Sequence, residues 1–107
     1  MPTKDNYPAV WFREHQIAAL EILLSGQPLT SDLLHDGKEP PRRQYWGALF
    51  HTPEIARVAV PDDVPVKSVR TGGWVQVWRL KPGAVETARQ TLAALKADDG
   101  NELGQVA

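Results

Sequence analysis

The hydrophobic pattern of this 107-residue chain changes its period near Thr52, and no other sequence feature restricts the fold so strongly. Before Thr52, apolar residues recur at steps of three and four, which is the spacing of an amphipathic helix. After it, apolar and polar residues alternate in short runs, which is the spacing of a half-buried strand. Helical spacing returns after residue 84. We therefore predict an α+β fold with three N-terminal helices, a small antiparallel sheet with a hairpin, and a C-terminal helix.

Turn and capping residues divide the helical half of the chain. The first predicted helix begins at Phe12 and ends at Gly26, because glycine accepts the left-handed conformation that terminates helices. The second predicted helix begins after Thr30 or Ser31, either of which is a suitable N-cap because its hydroxyl can accept a backbone N–H bond.

The third predicted helix begins with Pro41, whose missing N–H is not needed at the first helical position, and ends at Thr52, before a proline. The residues that we expect to face the core from the second and third helices are Leu33, Leu34, Tyr45, Trp46, Leu49 and Phe50. The opposite face of the third helix presents Arg43, Gln44, Gly47, Ala48 and His51. The small residues of this face would allow close approach to a groove.

The strand half contains three β-like runs. Residues 55–60 form the first, and residues 66–70 and 74–80 flank a Thr-Gly-Gly sequence at 71–73 that is typical of a hairpin turn. Of the four tryptophans, Trp74 lies next to the turn glycines and is the one that we expect to be exposed, whereas the other three pack in the core.

The chain is long enough for one domain with one core. We place this domain at residues 12–97, between a loose N-terminal arm (1–11) and a flexible tail (98–107). No apolar run reaches the ~20 residues that cross a bilayer, so we expect neither a membrane anchor nor a signal peptide. The sequence has no cysteine, which excludes disulfides and thiolate chemistry and is typical of a reducing compartment. We expect the protein in the cytoplasm.

No arrangement of residues favours catalysis. His15, His35 and His51 match no metal-ligand spacing, and neither a cysteine nor a paired carboxylate accompanies them. The sequence contains no nucleophile elbow and no glycine-rich phosphate loop. We therefore expect a protein without enzymatic activity, cofactor or metal.

Charge is distributed unevenly, although the whole chain carries only −1. Between Lys38 and Lys81, eight basic and four acidic residues give a net charge of +4, so the remainder carries −5. A local positive field of this kind attracts a phosphate backbone even when the chain is nearly neutral. The alternative is an ordinary solvated surface.

Four segments carry a resemblance to a known class of proteins: ILLSGQPLT at 22–30, RQYWGAL at 43–49, TGGW at 71–74 and VWRL at 77–80. In these segments and their order, the sequence resembles the winged helix-turn-helix superfamily, and in particular small phage or prophage helix-turn-helix proteins. The resemblance implies that the third helix contacts DNA and that the hairpin forms a wing near the phosphates or the minor groove.

The candidate DNA-binding residues under this resemblance are Arg42, Arg43, Gln44, His51, Lys67 and Arg70. Arg42 and Arg43 stand at the start of a predicted helix, where positive charge is mildly unfavourable. For Arg43 this favours a bound partner over simple solvation of the helix end, and for Arg42 both interpretations stay open. Lys67 and Arg70 either lie along phosphates or protect exposed strands from edge pairing.

Two functions are compatible with these features. The first is a small transcriptional regulator that binds double-stranded DNA through the third helix and the hairpin. The second is a winged-helix module for protein–protein contact, such as an assembly subunit or a phage-encoded inhibitor, and the acidic remainder of the chain favours it. Affinity for random duplex that falls steeply with salt would distinguish the first function, because DNA binding releases counterions.

The last predicted helix, residues 84–97, carries apolar residues at alternating steps of three and four: Val85, Ala88, Leu92 and Leu95. This is the spacing of a two-helix seam. It predicts either a homodimer through these residues or a helix that folds back onto the first helix of the same chain. Because a single small module buries little area on DNA, we favour the homodimer.

Overall fold

The computed structural model describes residues 7–35, 40 and 42–106, with side chains at 9–35, 40 and 42–97. This part of the chain contains five helices: α1 (Tyr7–Leu24), α2 (Ser31–Leu34), α3 (Tyr45–Leu49), α4 (Pro53–Ala56) and α5 (Val85–Val106). It also contains four short strands: β1 (Ala59–Pro61), β2 (Val66–Lys67), β3 (Trp74–Val75) and β4 (Trp78–Leu80). The predicted α+β class with antiparallel strands is confirmed, but these residues form one helix more than we predicted.

Helix α1 starts earlier than predicted and ends where predicted. It begins at Tyr7, so the expected arm is helical from there on, because Pro8 falls in the first turn, where its missing N–H is not needed. Gly26 follows the last turn with a φ of +87°, and its N–H donates to the Leu23 carbonyl at 3.1 Å. Glycine suits this position because other residues rarely adopt a positive φ. Residues 1–6 of the predicted arm lie outside the described residues.

Helix α5 extends past the predicted end of the last helix. It continues to Val106, nine residues beyond Ala97, where we expected the tail to begin. Residues 98–106 include no proline, and Gly100 and Gly104 each lower helix stability by only about 1 kcal/mol, so nothing in this sequence stops the helix abruptly. In the described part of the chain, neither α5 nor any other helix is long and apolar enough to cross a bilayer.

The core lies around α1, where α5, strand β4 and the short helices α2, α3 and α4 pack against it. Its most deeply buried members include Trp11, Leu20, Leu23, Leu29, Leu34, Leu49, Ile55, Val58 and Ala88. Of the two leucines that we predicted to face the core from α2, Leu34 is buried but Leu33 is 53% exposed. The prediction for Leu33 is wrong because a helix of a single turn presents only one side to the core.

The apolar seam of α5 packs inside the chain. Ala88 is fully buried, Leu92 and Leu95 pack against the core, and α1 is the main neighbour of α5. Val85 is the one exposed member of this seam. The structure therefore corresponds to a helix that folds back onto the first helix, and it gives no support to the predicted homodimer through these residues.

Strand β4 connects the two halves of the chain. It pairs antiparallel with β1, so that Ala59 lies opposite Leu80 and Pro61 lies opposite Trp78. On its other edge, Trp78 exchanges two backbone hydrogen bonds with Leu29, at 2.8 and 2.9 Å. Leu29 lies between α1 and α2 in the sequence. Strand β4 is therefore flanked by β1 on one edge and by a residue of the helical half on the other.

The predicted strand over residues 55–60 is wrong in its first half. Thr52 is extended, and Pro53 then starts the helical turn α4, because its fixed φ suits the first position of a helix. Ile55 and Val58, three residues apart, are both fully buried. Strand β1 begins only after Val58.

Residues 62–77, which we call the hairpin, leave the sheet after β1 and return to it at β4. Within the hairpin, β2 and β3 form a separate two-stranded sheet in which Lys67 lies opposite Trp74. The predicted run of residues 74–80 is therefore divided between two sheets. The turn spans residues 68–73 and is longer than the predicted Thr-Gly-Gly; the Ser68 N–H closes it with a hydrogen bond to the Gly73 carbonyl at 2.7 Å, while the Ser68 hydroxyl and the Val69 N–H donate to Asp32 of α2.

Candidate nucleic-acid interface

Arg42, Arg43 and Gln44 lie in the turn that leads into α3. The predicted helix from Pro41 is wrong at its start, since α3 begins at Tyr45, and Pro41 itself lies outside the described residues. The turn is closed by a hydrogen bond from the Tyr45 N–H to the Arg42 carbonyl at 3.0 Å. This three-residue step gives the backbone a tighter winding than that of an α-helix.

Aromatic packing on the inner side of α3 explains where this helix begins. The Trp46 ring stacks on His35, with centroids 3.9 Å apart, and meets Trp11 edge-on at 4.9 Å. The Tyr45 ring lies 5.1 Å from Phe12. The first two residues of α3 are thus held against α1, while the polar residues that precede them are exposed.

The outer side of α3 and the turn that leads into it carry positive charges that no carboxylate of the described residues neutralises. The exposed residues there are Arg42, Arg43, Gln44, Gly47, Ala48 and His51. Among the described residues, no carboxylate forms an ion pair with Arg42 or Arg43. His51 follows α3 and lies edge-on to the Trp78 ring, with centroids 6.2 Å apart.

Lys67 lies on the hairpin with its ammonium 5.6 Å from the centre of the Trp74 ring. Such a cation–π contact contributes about 0.5–1 kcal/mol at an exposed site and leaves the charge accessible. Trp74 is 69% exposed, whereas Trp11 is buried and both Trp46 and Trp78 pack against the core. The prediction that Trp74 is the exposed tryptophan is confirmed.

The positive charge of Arg70 is compensated by an acidic residue of α2. One of its guanidinium nitrogens lies 3.6 Å from a carboxylate oxygen of Asp32. The same carboxylate accepts hydrogen bonds from the Ser68 hydroxyl at 2.9 Å and from the Val69 N–H at 3.0 Å. We call these four residues, Asp32, Ser68, Val69 and Arg70, the Asp32 clasp. The clasp joins the hairpin turn to α2.

Asp62 is paired at the base of the hairpin. Its carboxylate accepts a hydrogen bond from the Arg79 guanidinium and another from the Val64 N–H at 3.1 Å. The hydrogen bond from Arg79 is the main cause that lowers the pKa of Asp62 below its ordinary value of 3.8. Of the two adjacent acids in this loop, Asp63 is therefore the one whose charge has no cation partner among the described residues.

The structure divides the six candidate residues into two groups. Arg42, Arg43, Gln44 and His51 flank α3, whereas Lys67 and Arg70 lie on the hairpin. In the described part of the chain, no hydrogen bond or ion pair connects one group with the other. In the same part, no three His, Asp or Glu side chains are grouped as metal ligands would be.

Sequence reasoning missed Asp32 and Ser68, which connect the hairpin to α2. The segment around Asp32 reads only as a helix start, and an acid in the first turn of a helix needs no further explanation. Ser68 reads only as a polar position in an alternating run. The one available signal is that a serine before a turn often bonds to the backbone N–H groups that follow it.

Comparison of the chain with known protein families, with curated proteins and with solved structures finds no match.

Proposed function

We propose that this protein binds double-stranded DNA as a small transcriptional regulator of the winged-helix type. The observation that carries the proposal is the outer side of α3 and its leading turn. Arg42 and Arg43 are exposed there without a carboxylate partner among the described residues, while the inner side of α3 packs against α1. Guanidinium groups in this state suit phosphates and guanine edges, both of which they bind in a bidentate manner.

The order of the elements supports the winged-helix interpretation. Leu29, after α1, pairs with β4; α2 and α3 follow, then the single helical turn α4, and the chain enters β1 and returns through the hairpin to β4. In a helix-turn-helix, the second helix lies in the major groove with its N-terminal residues on base edges. We assign that helix to α3 and the wing to the hairpin.

The candidate residues have different roles in this proposal. Arg43 and Gln44 contact base edges ahead of α3, with Arg43 on a guanine, and Arg42 contacts a phosphate. Lys67 contacts a phosphate from the hairpin, because its charge is accessible.

His51 and Arg70 are the weaker members of the same surface. His51 lies at the far end of α3 from the arginines and offers one hydrogen-bond donor. Arg70 contributes less than Lys67, because Asp32 already compensates its charge.

The proposal is tested by titrating random duplex DNA with the wild type and with an Arg43→Ala/Lys67→Ala/Arg70→Ala variant. We expect the triple variant to lose most of its affinity, and wild-type affinity to fall steeply with salt. A control, Arg89→Ala/Lys96→Ala, removes two exposed cations of α5, of which Lys96 forms a surface ion pair with Glu21 at 3.5 Å, and should bind like the wild type. Equal binding by the wild type and the triple variant contradicts the proposal.

A second candidate function, protein–protein contact without DNA binding, is favoured by one observation. The exposed large hydrophobic side chains lie mostly on the hairpin or next to its clasp: Leu33, Val64, Val66, Val69 and Trp74. Apolar residues exposed together are typical of contact surfaces. A wild-type protein without affinity for duplex DNA even at low salt would favour this candidate.

A further inference from the structure

Hydrogen bonds fix the base of the hairpin, where the Asp62 N–H donates to the Val77 carbonyl at 2.8 Å and the Gln76 side-chain amide donates to the Asp62 carbonyl at 2.7 Å, but the part beyond this base has few interactions of its own to fix its direction. Its sheet consists of two residue pairs, and both residues of β2 are exposed. An isolated two-stranded hairpin is at best marginally stable in water. Val69, in the turn, is 93% exposed, so apolar packing does not hold the turn in place either.

The Asp32 clasp fixes the direction of the hairpin, which its short strands do not. The Asp32 side chain is only 10% exposed and Ser68 only 4%, although the residues on both sides of Ser68 are exposed. The Ser68 hydroxyl donates to Asp32 and accepts from the N–H groups of Arg70 and Thr71, both at 3.1 Å. Its one donor and two acceptor positions are thus all in use. Hydrogen bonds to a carboxylate are roughly twice as strong as neutral ones.

We infer that Asp32 is a positioning residue for nucleic-acid binding: it fixes the hairpin turn against α2 and thereby sets where Lys67 meets the phosphate backbone. Lys67 directly precedes Ser68, so it cannot shift far relative to α2 while the clasp is intact. The inference rests on the proposed function. It predicts that Asp32 increases the affinity for DNA, whereas the negative charge of Asp32 by itself repels the phosphates.

The sign of the change in DNA affinity distinguishes a positioning role of Asp32 from a direct effect of its negative charge. In an Arg70→Ala background, where the loss of Asp32 releases no guanidinium from an ion pair, Asp32→Ala should lower the affinity for duplex DNA and reduce the slope of log affinity against log salt by about 0.9, the contribution of one phosphate contact. The matched control is Asp63→Ala, which removes an exposed hairpin acid whose carboxylate has no partner among the described residues and should raise the affinity. A rise in affinity in both variants overturns the inference.

Coupling to Lys67 provides a second measurement. If the clasp positions Lys67, then Lys67→Ala should reduce affinity much less in the Asp32→Ala background than in the wild type. Equal losses in the two backgrounds contradict the inference. Asp32→Asn keeps one acceptor oxygen without the charge, and it should restore part of the affinity that Asp32→Ala loses.

Amide exchange measures the clasp without DNA. The Val69 N–H, which donates to Asp32, should exchange much faster in Asp32→Ala, while the amides of α1 stay protected. If the wild type binds no duplex DNA, the proposed function fails, and Val69 exchange still decides whether Asp32 fixes the hairpin. An unchanged Val69 exchange rate in Asp32→Ala overturns the positioning role even where DNA binding holds.

Discussion

Trp11 and Trp74 have opposite surroundings and should respond differently to truncation. Trp11 is 1% exposed and lies against the rings of His15 and Trp46, whereas the ring of Trp74 contacts the ammonium of Lys67. Trp11→Ala should lower the free energy of unfolding by about 3–5 kcal/mol. Trp74→Ala should lower it by less than about 1 kcal/mol, the size of an exposed cation–π contact. Urea unfolding measures both values, and similar costs would contradict this difference in burial.

Arg43→Ala and Lys67→Ala should differ in how the loss of affinity depends on the DNA sequence. Arg43→Ala should cost about 1–3 kcal/mol at the preferred site and relax specificity at one base-pair position, because a guanine contact is lost. Lys67→Ala should weaken binding to all sequences alike, since a phosphate carries no sequence information. Competition among duplexes that differ at single positions measures both effects. The same sequence profile for both variants would contradict the roles assigned here.

The Asp62–Arg79 pair gives the base of the hairpin a defined pH dependence. Folding lowers the pKa of Asp62 below its ordinary value of 3.8, chiefly through the hydrogen bond from Arg79, so folding favours the ionised form. The resulting stability is fully present above pH 3.8 and is lost as the pH falls through the lowered pKa. Asp62→Asn should therefore be less stable than the wild type near neutral pH and approach it in strong acid.

Denaturant unfolding over a pH series measures this dependence. Asp63→Asn is the control, because the Asp63 carboxylate has no partner among the described residues. A constant difference between the wild type and Asp62→Asn down to the most acid solutions would contradict the role of the Asp62 charge.

Between elements, the contact of α1 with α5 should show close packing at Ala88. This residue is fully buried, and Ala88→Leu should lower the free energy of unfolding by about 1–3 kcal/mol because the larger side chain overpacks the site. Ala93→Leu, on an exposed position of the same helix, should change it by less than about 0.5 kcal/mol. Thermal unfolding compares the two variants. Equal stabilities would contradict the packing of α5 on α1.

Long helices and strands are easier to predict from sequence than short ones. Many apolar residues contribute to the patterns of α1 and α5, so both helices are recognisable, and Gly26 marks the end of α1. Helix α4 has four residues, too few for a helical pattern to stand out from the β-like run that residues 55–60 form. Pro53 and the three-residue spacing of Ile55 and Val58 favour the helix, but two signals in so short a segment do not outweigh the apolar run that continues to residue 60.

For the whole molecule, ion pairs decide which cations remain available to DNA. Within the described part of the +4 block, two basic residues are paired with acids, and the cations without an acidic partner there include Arg42, Arg43 and Lys67. If Arg42 and Lys67 neutralise one phosphate each while Arg43 contacts a base edge, the slope of log affinity against log salt should be roughly −1.8. Fluorescence anisotropy on a labelled random duplex measures this slope. A slope near zero would contradict a DNA-binding surface made of these residues.

The candidate site was predictable from sequence only where its residues belong to one local pattern. The exposure of Arg43 and Gln44 follows from their place beside the inward-facing Tyr45. The Asp32 clasp was not predictable, because Ser68 and Asp32 are 36 residues apart and no periodicity relates them. Their contact depends on the path of the hairpin, which is a property of the folded chain.

The pairing of Leu29 with Trp78 also sets an order for folding during synthesis. Strand β4 is the hydrogen-bond partner both of Leu29 and of β1, so neither can complete its pairing before residues 78–80 have left the ribosome. The helical half, although made first, carries an unpaired backbone at Leu29 until the hairpin has also been made. Long-range pairing of this kind delays the closure of a fold. Assembly of the core is therefore a late event in the life of the nascent chain, and it is complete only when α5, which is made after β4, has packed on α1.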